Sequence, residues 1–266
     1  MNESIEAKRF EEVVPVPGGG VVWAERAGSG TPVVLLHGGG MDSRLWDSVF
    51  PALARRHTAI RFDARGLGRS SLPAEPYWDV ADLLAALDHF DIERAALVGL
   101  SLGGETSLDF ALAHPDRVTS LALVGSSVSG HRWPEAPDLA ACEAARRERD
   151  VKRLAELELS VWAPMGAAAS GGELIEVMVA DNAERRLMAG DLARCQDQAA
   201  ISRLDQIAVP TLIVHGDQEH PAIVAIAERL VADIPDARLE VVPGADHYLP
   251  LRVPERLAEL LLAHLG

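Results

Sequence analysis

At 266 residues the chain has room for one or two domains, and 48% hydrophobic with 24% charged residues is an ordinary globular composition. Its 25 basic and 40 acidic residues leave a net charge of −15, which argues against nucleic acid or an anionic membrane surface as a partner. No apolar run is long enough to span a bilayer, and the opening Met1-Asn2-Glu3-Ser4-Ile5-Glu6 lacks the basic and apolar segments of a secretion signal, so a cytoplasmic location is expected.

Strand-like apolar runs fall at 12–16, 21–25, 33–37, 59–63, 95–99, 118–124, 211–215 and 239–242. Helical patterns fall between them at 42–55, 78–91, 102–114, 221–234 and 254–264. The first two strands, separated by Pro17-Gly18-Gly19-Gly20, read as an antiparallel hairpin at one edge. The rest alternate with helices, which predicts an α/β fold: a mostly parallel eight-stranded sheet flanked by helices. The interval from Ser126 to Ile207 breaks the alternation with Ala-, Glu- and Arg-rich helical pattern interrupted by prolines and Gly171-Gly172. A stretch this long is not a structureless loop. The chain therefore divides into a core over 1–125 and 208–266 and a helical cap over 126–207, with Trp133, Trp162 and Met165 as candidates for its pocket-facing surface. The mixed-sign run from Arg146 to Arg153 reads as a solvated helix face.

Gly99-Leu100-Ser101-Leu102-Gly103 lies between a buried strand and a helix stopped by Pro115, the setting in which G-x-S-x-G forms a nucleophile elbow. Side chains at 99 and 103 would crowd so tight a turn, and the turn lifts Ser101 to the carboxyl end of the strand, where open α/β sheets bind ligands. Serine needs a base at neutral pH. His247, in Pro243-Gly244-Ala245-Asp246-His247 just after the last strand, is brought by the topology to the same sheet edge. A carboxylate to orient it is expected after the strand 211–215, where Asp217 and Glu219 both qualify. Glu219 lies further out on the loop and is the preferred acid; Asp217 has turn formation or helix capping as its alternative role. Asp246 adjoins His247, and neighbouring side chains on extended backbone point apart. The glycines of His37-Gly38-Gly39-Gly40 offer backbone N–H donors, so Gly39 (or Gly40) and Leu102 are the candidate oxyanion hole. His37 reads as a brace for that loop.

With these landmarks in place the sequence resembles the α/β-hydrolase superfamily, within the cap-bearing group of esterases, enol-lactonases and cofactor-free perhydrolases. The resemblance rests on His37-Gly38, on Asp63-Ala64-Arg65-Gly66-Leu67-Gly68-Arg69-Ser70, on the Ser101 elbow and on Gly244-Ala245-Asp246-His247. It implies an acid three residues beyond Gly216, which is Glu219, a position where aspartate is commoner, and a mainly structural role for Asp63 and Arg65. Serine at the elbow disfavours the dehalogenase and epoxide-hydrolase branches, which carry aspartate there.

The glycines at 18–20 and 38–40 lack dinucleotide-binding spacing, and no metal-ligand cluster or phosphate loop is visible, so no cofactor and no metal are expected. Cys142 and Cys195 are expected to be free thiols. The expected function is a serine hydrolase of a small carboxylic ester or lactone, acting through an acyl-enzyme on Ser101. The alternatives are hydrolysis of a carbon–carbon bond in a β-diketone-like substrate, or a ligand-binding protein that keeps the fold. The physiological substrate and the oligomeric state are not encoded in any motif.

Overall fold

The computed structural model describes residues 8–190, 192–194, 196 and 198–266. Eight strands form one sheet: β1 (Arg9–Pro15), β2 (Val21–Ala27), β3 (Thr31–Leu36), β4 (His57–Phe62), β5 (Ala95–Leu100), β6 (Val118–Val124), β7 (Thr211–Gly216) and β8 (Ala237–Val242). Their spatial order is β1-β2-β4-β3-β5-β6-β7-β8. The β1–β2 hairpin and the β2–β4 pair are antiparallel, and every other pairing is parallel.

Strand character follows burial. Every residue of β5 is buried, and its run of apolar residues suits a strand covered on both faces. β8 lies at the edge and alternates Arg238 and Glu240 with apolar neighbours, charges that discourage pairing with another chain. One apolar cluster, with Leu97 and Leu108, fills one side of the sheet; a second, with Leu35, Trp46 and Phe50, fills the other.

The helices are α1 (Phe50–Ala54), α2 (Asp79–His89), α3 (Leu102–Ala113), α4 (Pro137–Glu148), α5 (Val151–Trp162), α6 (Gly172–Gly190), α7 (Pro221–Asp233), α8 (Leu249–Arg252) and α9 (Pro254–Leu265). The helix expected over 42–55 is instead a single tight turn, Ser43–Trp46, followed by short α1. Pro51 explains the break: it has no N–H to donate to the preceding turn, and its ring crowds the carbonyl four residues back. The first strand begins three residues earlier than expected, at Arg9, because its exposed edge needs no apolar alternation to pair. Between β6 and β7 lie α4, α5 and α6, which share a small core of Cys142, Ala145, Leu154, Val161 and Leu187. The Arg146–Arg153 run is not one helix face. Arg149 is left-handed (φ 56°) and ends α4, and Asp150 caps α5 by accepting the Arg153 N–H.

β3 is flanked by β4 on one side and β5 on the other, so chain direction across the sheet switches between β3 and β5. The crevice at the carboxyl ends of these two strands is where a doubly wound sheet receives a ligand. No helix among the described residues is long and apolar enough to cross a membrane.

Candidate active site

Ser101 joins β5 to α3 with φ 53° and ψ −114°, one of three non-glycine residues with positive φ among those described. Such a conformation is strained by about 1–3 kcal/mol and persists only where its surroundings impose it. They do: Ser101 N–H donates to the Val124 carbonyl at 3.0 Å, and the Ser101 carbonyl accepts from Gly104, Glu105 and Ser127. A side chain at Gly99 would collide with the Gly103 carbonyl, and one at Gly103 would strike the Leu36 carbonyl at the end of β3. The elbow glycines thus clear two different neighbours, one across the turn and one on the adjacent strand.

His247 and Glu219 converge from the loops after β8 and β7. Nδ1 of His247 lies 2.9 Å from Glu219 Oε2, and both side chains are buried. The other carboxylate oxygen accepts the His220 backbone N–H at 2.8 Å. A carboxylate at Nδ1 keeps the imidazole proton there and leaves Nε2 as the basic nitrogen. The two loops are knitted by backbone bonds from Asp217 N–H to the Val242 carbonyl and from Gln218 N–H to the Ala245 carbonyl, both 3.0 Å. Gly125, at φ +48°, keeps the space beneath the pair open: a Cβ there would lie 2.9 Å from Glu219 Oε2 and 3.1 Å from His247 Nδ1. Asp217 is turned the other way and accepts the Gly244 N–H at 2.8 Å. Asp246 points away from the cavity and makes a buried bidentate pair with Arg252 at 3.0 and 2.9 Å. Arg252 also donates to the Gly166 and Ser170 carbonyls, which fastens the His247 loop to the segment between α5 and α6.

A cavity of about 860 Å³ gathers Ser101, His247, Gly39, Leu102, Trp133 and Trp162 on one wall system. Gly39 and Leu102 are therefore on the same cavity as the serine, and among the described residues neither backbone N–H has an acceptor. Leu102 is the first residue of α3, where a helix leaves its N–H groups unpaired. Gly40 does not line this cavity; it turns the loop with φ +75° and borders a smaller adjoining space of about 180 Å³. Met165 does not line the main cavity either: its backbone N–H donates to Asp246 Oδ2, so it serves the anchorage of the His247 loop. His37 braces its loop, with Nε2 accepting the Ala64 N–H at 2.9 Å and Nδ1–H directed at the Gly38 carbonyl. Asp63 accepts from Ser43 and Arg69 N–H, and Arg65 pairs with Asp82 and reaches two carbonyls of the hairpin turn.

Several cavity residues carry no signal in the sequence. Glu158 of α5 accepts from Arg186 of α6 and from Arg146 of α4 at 3.4 Å, so one buried carboxylate ties the three inserted helices together. Arg186 also covers the glycine loop; a Cβ on Gly39 would come within 3.2 Å of its Nη2. Glu105, one turn after Ser101, lies between the two cavities. Burial pushes its carboxyl up to about 7, helped by the neighbouring Asp109 and Asp79 carboxyls and opposed by a hydrogen bond from Ser127. Cys142 is a free, buried thiol on the cavity wall, and burial raises its ionisation above the ordinary range. Cys195 lies outside the described residues. Among those described, no group of three or more histidine, cysteine, aspartate or glutamate side chains is placed to hold a metal ion.

Comparison with known proteins places this geometry in a family. A family model described as alpha/beta hydrolase fold matches residues 31–252. The chain is 32% identical over 255 residues to a pimeloyl-[acyl-carrier protein] methyl ester esterase of Chromobacterium violaceum, covering 92% of this chain and 98% of that one. It resembles a hydrolase structure from Pseudomonas aeruginosa with a TM-score of 0.82 at 27% identity, covering 96% of this chain and 98% of that one. It also resembles Est816, described as an N-acyl homoserine lactone degrading enzyme, with a TM-score of 0.78 at 27% identity, covering 95% and 99%. The chain belongs to the alpha/beta hydrolase fold family.

Proposed function

We propose that this protein is a serine hydrolase of a small carboxylic ester or lactone, with Ser101 as nucleophile, His247 as general base and Glu219 as the acid that orients it. The observation that carries the reading is the buried Glu219–His247 pair, whose histidine lines the same cavity as a strained, elbow-mounted serine. Ser101 Oγ attacks the carbonyl carbon as its proton passes to His247 Nε2, and the carbonyl electron pair moves onto oxygen. The N–H groups of Gly39 and Leu102 receive that oxyanion; one such donor is worth about 3 kcal/mol in comparable sites. His247 then gives the proton to the leaving alcohol as its bond to the acyl carbon breaks; afterwards it takes a proton from water as the water oxygen bonds to that carbon, and returns it to Ser101 Oγ as the serine ester breaks and the acid leaves. In a lactone the leaving alcohol stays attached to the product. A methyl ester esterase and a lactone-degrading enzyme among the similar proteins support this pair of substrate classes.

A panel of short aryl esters, lactones and β-diketones assayed with wild type and Ser101→Ala tests the reading, alongside labelling by a fluorophosphonate. The expected result is ester or lactone turnover and labelling, both lost in Ser101→Ala. Turnover confined to β-diketones would favour carbon–carbon hydrolysis, and neither turnover nor labelling would favour the binding-protein alternative.

A further inference from the structure

Trp162 is the last residue of α5, and its indole touches two histidines. Its ring centroid lies 5.0 Å from that of the His247 imidazole, with the planes tilted by 40°. His220 makes an edge-type contact with it at 5.3 Å and 61°. Trp133 approaches edge-on at 6.3 Å. His220 is itself fixed at both ring nitrogens: Nδ1 accepts the Ala222 N–H at 3.2 Å, so the proton is on Nε2, which donates to Asp138 Oδ2 at 3.3 Å. Asp138 belongs to α4 and His220 to the loop that carries Glu219, so the inserted helices and the sheet core grip the indole together.

This placement has a chemical consequence. When Ser101 Oγ bonds to the substrate carbon, its proton moves to His247 Nε2 and the imidazole becomes a cation. Glu219 meets that cation at Nδ1, 2.9 Å away, and Tyr248 approaches edge-on at 5.5 Å. The electron-rich indole lies within the distance at which a π face attracts a cation, about 6 Å from the ring centroid. The attraction is weak for a neutral imidazole and strong for the imidazolium, so it acts on the transition state more than on the ground state.

We propose that Trp162 is a positioning residue that stabilises His247 in its protonated form, in addition to lining the cavity. The proposal rests on the Ser101–His247–Glu219 reading above. It assigns the inserted helices a part in the proton transfer as well as in substrate enclosure.

Site-specific replacement of Trp162 by mono-, di- and trifluorotryptophan tests it, since fluorine drains the π face with little change in shape. The readouts are kcat for a short aryl ester and the rate of Ser101 phosphonylation by a small fluorophosphonate. Both are expected to fall stepwise with fluorine count, by about tenfold over the series, with Tm and KM nearly constant. Trp162→Phe is expected to keep more activity than Trp162→Leu. A flat series overturns the proposal, as does a loss confined to KM or to Tm. Ser101→Ala and His247→Ala serve as the control: if they abolish turnover while the fluorinated series is flat, only the role of Trp162 fails. If they leave turnover intact, the triad reading fails with it.

Discussion

Glu219 spends its two carboxylate oxygens differently: Oε1 accepts the His220 backbone N–H at 2.8 Å, and Oε2 meets His247 Nδ1 at 2.9 Å. The backbone bond holds the carboxylate in place whether or not the histidine is charged. Replacing Glu219 by Gln removes the charge but keeps the shape, and kcat is expected to fall by roughly 10²- to 10⁴-fold. Asp217→Ala loses only the hydrogen bond from Gly244 N–H and is expected to cost about 1 kcal/mol of stability with kcat nearly unchanged. Steady-state kinetics of the two variants side by side check the assignment, and the reverse ranking would exchange the two roles.

The strain at Ser101 links function to stability. Glycine adopts φ 53° freely, so Ser101→Gly relieves about 1–3 kcal/mol of backbone strain, partly offset by about 1 kcal/mol of added freedom in the unfolded chain. The variant is expected to be inactive yet up to about 2 kcal/mol more stable than wild type by urea denaturation. A less stable Ser101→Gly would mean that the serine side chain contributes more than its backbone costs.

The Asp246–Arg252 pair is buried on both sides and anchors the His247 loop to the Gly166 and Ser170 carbonyls. Removing one partner leaves an uncompensated buried charge, so Arg252→Met is expected to destabilise the fold by about 3–5 kcal/mol. Replacing both residues by apolar ones of similar size should recover part of that loss. Chemical denaturation of the single and double variants measures this.

Glu105 makes a pH-dependent prediction. Its ordinary value of 4.5 is raised to about 7 in the folded chain, chiefly by burial. Below about pH 4.5 the carboxyl is protonated in both states and Glu105→Gln is expected to be nearly neutral. Between there and about 7 the unfolded chain ionises while the folded one resists, so the native state loses stability as pH rises. The Gln variant escapes that loss and is expected to gain up to about 3 kcal/mol over wild type by pH 8. Thermal melts of both proteins from pH 4.5 to 8 test it; a difference independent of pH would contradict it.

Crowding at the Glu219–His247 pair can be probed from below. Gly125→Ala puts a Cβ against Glu219 Oε2 and His247 Nδ1 at a left-handed φ, so it is expected to cut kcat at least tenfold and to lower Tm. Unchanged kinetics would show that the pair can shift without loss.

Local chemistry made part of this site legible in the chain itself. The elbow needs only five consecutive residues between a strand and a helix; the Gly38-Gly39-Gly40 loop follows a plainly apolar strand, and His247 follows one in which apolar and charged residues alternate. Parallel-sheet topology then sends all three to one edge, because strands that run in the same direction end, and release the loops that follow them, at the same side of the sheet. The helix expected over 42–55 failed on one residue, Pro51, whose missing N–H outweighs an otherwise periodic apolar pattern.

What lies between elements had to wait for the tertiary structure. Asp217 and Glu219 are two residues apart in one loop, and only the packing of that loop on residues 243–247 turns one carboxylate to His247 and the other to Gly244. Trp162 and Met165 read alike in sequence as apolar members of a helical insertion. The fold sends the indole onto His247 and holds the Met165 backbone on Asp246. Arg146, Glu158 and Arg186 come from three different helices and meet only because those helices pack together. The sequence by itself determined the turn that carries Ser101 and the sheet that presents it, since both follow from short-range sterics and apolar periodicity. Contacts between distant loops and helices depend on how surfaces fit, and only the folded chain decided them.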